Sequence, residues 1–192
     1  VIDGALFKHG MRRLAAGVCI VTAIEEALPH GLVATSVSSV CAEPEPSLLV
    51  CVNHNSSIHG VIHRTKIFCA NVLSAGDVEL AQRFSLPELR ASRFEQGSWV
   101  SLVTGAPALP SALASFDCEV THVVPVHSHS IFVGVVRDLK LWQSEINALL
   151  YLDGKYQYVR QAPRERGAIA SFRQVVSQGP SFVGRPVTPA AP

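Results

Sequence analysis

Between Leu32 and Val40, apolar and small polar residues alternate with the period of two that marks a half-buried strand. Leu32, Ala34, Ser36, Ser38 and Val40 fall on one face, and Val33, Thr35, Val37 and Ser39 on the other. Both faces lack bulk, and small hydroxylated side chains let a flat ligand approach the backbone while offering donors and acceptors to its edges. Pro44 and Pro46, set among Glu43 and Glu45, cannot continue a central strand and predict a turn. The short apolar run from Ser47 to Val52 then predicts a strand buried on both faces.

Upstream, Phe7, Met11 and Leu14 recur at i, i+4 and i+7 and predict an amphipathic helix over 5–14, ended by Gly17. A β-branched strand over 18–23 and a turn at Pro29, His30 and Gly31 lead into the central stretch. Downstream, Asn55, Ser56 or Ser57 can cap a short helix carrying Ile58, Val61 and Ile62. Residues 66–73 read as a strand, and Ser74 caps a helix through Phe84 with Val78, Ala81 and Phe84 on one side. Residues 86–99 read as irregular or a short helix, followed by an ordered loop punctuated by Gly105, Pro107 and Pro110. Alternation over 114–124 and 130–141 predicts two antiparallel strands joined through His127–His129, and 143–149 lead to a last short strand ending near Tyr151. The tail from Arg160 changes to Arg and Pro, with one helical spacing at Ile169, Phe172, Val175 and Val176. We therefore expect one domain over 1–159 and, over 160–192, an arm packing on this subunit or its neighbour.

Lys and Arg number 16 against 15 Asp and Glu, so the basic stripe of a nucleic-acid binder is missing. Apolar residues make up 48% of the chain, yet no apolar run approaches the roughly 18 residues of a membrane span. Such surplus apolar surface is most simply hidden in a subunit interface, which predicts a homodimer and no membrane partner. Five single cysteines in apolar runs, without a CxxC pair, predict buried free thiols and a cytoplasmic setting.

The Ser- and Asn-rich helix start at Asn55–Ser57 reads either as an ordinary N-cap or as an anion seat, since free backbone N–H groups favour a phosphate there. Among eight histidines, His59 and His63 stand at i, i+4, but no HExxH sequence or carboxylate partner accompanies them, so no metal is expected. Ser36, Ser38 and Ser39 lack a Gly-x-Ser-x-Gly setting, and the cysteines have no base nearby in sequence, which argues against a hydrolase. No GxGxxG follows a strand, so a nicotinamide cofactor would not be held by a Rossmann unit.

The stretch GLVATSVSSVCAEPEPSLLVCVNHNSS resembles the core signature of the flavin reductase-like family. FKHGMRRLAAGVCIVTA, FCANVLSAGDVELAQRF, GAPALPSALASFDCEV, VHSHSIFVGVV and LLYLDGKY are similar to further blocks in the family's order, covering Phe7 to Tyr156. The VPVHSHSIF and GAPALPSALASFDCEV segments look most like the reductase component of two-component flavin-dependent monooxygenases, including the styrene type. The resemblance implies a mainly β (α+β) fold, an antiparallel split β-barrel of the FMN-binding type with peripheral helices. It implies a homodimer with each flavin near the interface. The implied activity is an NAD(P)H:flavin oxidoreductase that reduces FMN or FAD with NADH or NADPH and passes reduced flavin to a separate monooxygenase.

By the same resemblance Ala34, Thr35, Ser36, Ser39 and Val40 line the isoalloxazine, Cys51, Val52 and Asn53 flank it, and Ser56 and Ser57 hold the phosphate. Tyr151 and Tyr156 border the pocket, and Phe84 reads either as its rim or as plain core. His129 stands where the family carries the histidine of a Gly-Asp-His turn, with His127-Ser128 in place of Gly-Asp. Its implied catalytic role is to orient the nicotinamide and place positive charge near the reacting rings; the other reading is a turn histidine satisfied by backbone. Two further functions stay open: a flavoenzyme that keeps its flavin and oxidises an organic substrate itself, and a non-catalytic flavin-binding module.

Overall fold

The computed structural model describes residues 2–160. In chain order the strands are β1 (Ala16–Gly17), β2 (Cys19–Glu25), β3 (Leu28–Ala34), β4 (Ser38–Cys41), β5 (Ser47–Asn53) and β6 (Ile67–Val72). They continue as β7 (Val100–Ser101), β8 (Pro107–Ala108), β9 (Ala114–Val126), β10 (His129–Leu141), β11 (Asn147–Leu152) and β12 (Lys155–Arg160). Three α-helices accompany them: α1 (Gly4–Met11), α2 (Ser57–Thr65) and α3 (Val78–Ser85).

Seven strands pair antiparallel in the order β3-β2-β6-β9-β10-β5-β4, so the two strands at its borders, β3 and β4, are neighbours in sequence. A flat sheet of that width would hold its outer strands about 29 Å apart at about 4.8 Å per gap. Ala34 to Ser38 is a reach of at most about 14 Å. The sheet must therefore curl until its borders approach, and this gives the mixed α+β, split-barrel-like architecture with peripheral helices. The Ser36 hydroxyl secures the crossing by donating to the carbonyl of Cys51 on β5 at 3.0 Å. A smaller sheet, β1-β11-β12, is stitched on by Val18 N–H to Leu149 O, Leu73 N–H to Val18 O and Leu149 N–H to Leu73 O.

Two large apolar cores result, with a small third cluster at Cys69, Ala106 and Ala108. One lies between the curled sheet and α2, whose Ile58, Val61 and Ile62 meet Val21, Val50, Phe68 and Phe132. The other gathers Val18, Ile20, Leu73, Leu80, Phe84, Leu109 and Leu149 beneath α3.

Several local expectations change. The strand expected over 32–40 is two, because residues 35–37 leave the ladder to cross between borders. The turn expected at Pro29–Gly31 lies instead at Glu26–Ala27, both at positive φ (50° and 62°), a two-residue hairpin turn pairing Glu25 with Leu28. Pro29 is then a border-strand residue, where a missing N–H costs little. α1 stops at Met11 rather than near Gly17, and none of its residues is buried. The helix expected from Ser74 begins with a short 3-10 turn, closed by Asp77 accepting from both the amide and the hydroxyl of Ser74, before α3. The segment read as irregular or a short helix is a 3-10 helix over Pro87–Glu95. β12 is a strand that the sequence pattern had not distinguished. Apart from Arg160, the expected arm over 160–192 lies outside the described residues.

Candidate ligand-binding site

Ala34 and Thr35 sit where β3 ends, and the cleft of about 680 Å³ beside them brings four expected site residues together: Ala34, Thr35, Tyr151 and Tyr156. The two tyrosines face each other across the β11–β12 hairpin, ring centroids 5.5 Å apart and edge to face. Burial, then Tyr151, raises the Tyr156 phenol above its ordinary value. The hairpin turn is tethered by the Asp153 N–H donating to Arg12 O at 2.9 Å. Opposite it α3 presents Val78, Gln82 and Ser85, one face at i, i+4 and i+7. That spacing was present in the sequence but its polar members gave no apolar stripe to read. Phe84 lies behind this wall, 1% exposed, packed on Phe94 and Trp99 at 5.2 and 5.7 Å.

A second group forms around the start of α2. Asn53 ends β5 opposite His129, the first residue of β10, and its side-chain oxygen accepts from the Asn55 amide at 2.8 Å. Ser56 is the N-cap of α2 and its hydroxyl makes no cap hydrogen bond, leaving it and the first amides of the helix open to an anion. His129 is exposed, with Nδ1 2.9 Å from the Ser128 hydroxyl. Ser39 and Val40 lie on the exposed border strand β4; Cys51 is half-buried, and Val52 is core.

Ser57 also lines a cleft of about 330 Å³, together with Leu28–Gly31 of β3 and with Arg90, Ala91, Arg93 and Phe94. Arg93 is 6% exposed. Its Nη1 donates to Gly31 O at 2.8 Å and its Nη2 to Leu86 O at 3.0 Å, while Nε is buried with no partner. The guanidinium stands 5.8 Å over the Phe84 ring. Gly31 lets Phe84 pack directly on β3, since a Cβ there would come within 2.6 Å of its ring. Burial, then the neighbouring Arg90, lowers the pKa of Arg93 from its ordinary value. Among the described residues neither Arg90 nor Arg93 has a carboxylate within ion-pair distance. Two guanidinium groups without a carboxylate partner among the described residues, beside a serine at a helix start, suit an anion such as phosphate and would repel a metal cation. Both arginines were absent from the sequence expectation. Their spacing of three held the signal, because i and i+3 eclipse on a 3-10 helix.

Residues 11–160 match the family described as flavin reductase like domain. An FMN reductase (NADH), RutF, of Acinetobacter baylyi is 36% identical over 155 residues, covering 81% of this chain and 81% of that protein. The flavin reductase component of a bacterial two-component tryptophan halogenase, BorF, superposes with a TM-score of 0.76 at 29% identity, covering 83% of this chain and all of that one (100%). The flavin reductase of styrene monooxygenase from Pseudomonas putida S12 has the same fold, with a TM-score of 0.73 at 23% identity over 82% of this chain and 99% of that one.

Proposed function

Because this chain belongs to the flavin reductase like domain family, we propose that it is an NAD(P)H:flavin oxidoreductase that releases reduced flavin to a separate monooxygenase. The observation that carries this reading is the cleft where Arg90 and Arg93, neither with a carboxylate partner among the described residues, stand beside Ser57 at the start of α2, which supports a phosphate seat. FMN and NADH are the favoured pair, because the RutF relatives bear those names; FAD and NADPH are the alternatives.

When bound, the flavin supplies the two-electron acceptor for the nicotinamide hydride. Arg93 and Arg90 hold its phosphate with Ser57 and Ser56. The narrow side chains of Ala34, Thr35 and Ser36, with Ser39, Val40, Cys51 and Asn53 around them, leave room for a flat ring against backbone. Tyr151 and Tyr156 restrict water on the opposite side. His129 orients the nicotinamide from the start of β10. The protein works as a homodimer, supported by the exposed apolar side of α1. Cys19, Cys69 and Cys118 are buried, whereas Cys41, on the border strand β4, is exposed and Cys51 half-buried, against the expectation of five buried thiols; all five are free, which suits a reducing cytoplasm. No described helix is long and apolar enough to cross a membrane.

The deciding experiment follows nicotinamide absorbance with NADH or NADPH and with FMN, FAD or no flavin. Oxidation that depends on added flavin is expected, fastest with NADH and FMN. A yellow protein without turnover would overturn the reading.

A further inference from the structure

Ser130, the second residue of β10, is 3% exposed. Its hydroxyl lies 3.1 Å from His54 Nε2 and 2.9 Å from His59 Nε2. His54 follows β5 and His59 sits in the first turn of α2; their rings meet edge to face at 4.8 Å. His63 stacks behind His59 at 6.4 Å. From β10 the residues facing His59 are Ser130 and Phe132, neither of them charged. The His54 amide donates to Ser128 O at 2.9 Å, and the Ser128 hydroxyl is 2.9 Å from His129 Nδ1. Ser130 and, through His54, Ser128 thus link the start of α2 to the β9–β10 turn.

A serine hydroxyl owns one proton, so between two imidazoles it donates to one and accepts from the other. That arrangement needs one bare Nε2 and one Nε2–H. Protonating the bare nitrogen makes both rings donors and strips the hydroxyl hydrogen of its acceptor at a buried position. A further proton on His54 or His63 would set a second positive charge beside the first, at ring-centroid distances from His59 of 4.8 and 6.4 Å. Burial, then His54, then His63 accordingly lower His59 from its ordinary value. The unfolded chain binds this proton more readily than the folded one. The stabilisation is therefore complete above the ordinary histidine range and is lost as pH falls through that range towards the lowered folded value.

We propose that Ser130, His54 and His59 form a proton-sensitive clasp that positions the start of α2 and His129 relative to each other, closed with neutral imidazoles and released in acid. These three are positioning residues. Their effect on turnover rests on the function proposed above, whereas the clasp is a property of the chain without ligand.

The test is a nuclear magnetic resonance titration of histidine rings and backbone amides between about pH 5 and 8. It uses the full chain as wild type, His59→Gln, Ser130→Ala and Ser130→Thr. In the wild type the Ser57 and His129 amides should show an inflection at the midpoint of the His59 ring. His59→Gln should abolish it, Ser130→Ala should uncouple it, and Ser130→Thr should restore it. Should Ser130→Ala fail to fold, His59→Gln and Ser130→Thr decide. A wild-type His129 amide that follows its own ring alone overturns the clasp, as does coupling that survives Ser130→Ala. In turnover assays the KM for FMN should rise about fivefold or more on the acid side in wild type and stay flat in His59→Gln. A chain that oxidises no NADH defeats the proposed activity, while the amide titration still decides the clasp.

Discussion

Arg93 is gripped by two backbone carbonyls and an aromatic face, so its side chain arrives at the cleft already ordered. A charge-assisted contact to phosphate contributes about 1.5–3 kcal/mol. Arg93→Met should therefore weaken FMN binding roughly 10- to 100-fold and leave riboflavin, which has no phosphate, within about twofold. Calorimetric titration with both ligands checks this; equal losses for the two would place the phosphate elsewhere. Arg93→Lys should recover part of the affinity, because a point charge replaces the fork. Little of this residue was legible beforehand. An arginine in a charged, Pro-bounded segment looks like any solvated cation, and its burial depends on Gly31, 62 positions away in the chain. The small residues at 34–36 were legible, since lack of bulk on both faces of a strand pattern has no packing explanation.

Among elements, strands were the easiest to read: β5, β6, β9 and β10 lie within a few residues of their expected spans, although β5, expected to be buried on both faces, buries only the face of Leu48, Val50 and Val52. The β2–β3 turn was hidden because Glu26 and Ala27 occupy positive φ without the Asn or Gly that usually signals it. That mismatch predicts a gain. Replacing Glu26-Ala27 by Asn-Gly should add about 1 kcal/mol of stability. The Tm should then rise by about 2–4 °C with flavin reduction unchanged. Thermal denaturation measures it, and a lower Tm would mean that Glu26 or Ala27 makes a contact worth more than the strain. The break at 35–37 was invisible for a different reason. Small residues keep alternating through it, and only the order of strands in the sheet shows that the chain leaves the ladder. β12 escaped notice because KYQYVR mixes polar and aromatic residues at the start of an Arg- and Pro-rich tail.

For the whole molecule, the surplus of apolar residues is concentrated in part on α1, where Leu6 and Phe7 are each 63% exposed and no residue is buried. A helix of eight residues is marginal alone. A second copy covering it would stabilise helix and assembly together. Sedimentation equilibrium at micromolar concentration should give twice the 20.6 kDa of one chain, and Phe7→Asp with Met11→Asp should shift it towards one. A wild-type monomer would defeat the dimer. The curled sheet, finally, leaves two open borders, the β3 border beside the two clefts, and each is punctuated by proline: Pro29 within β3, and Pro44 and Pro46 in the turn after β4. An invading strand of another chain would meet a missing donor on one border and a ladder of four residues on the other. The protein thereby keeps the backbone of its site within reach of a ligand without offering a template for aggregation.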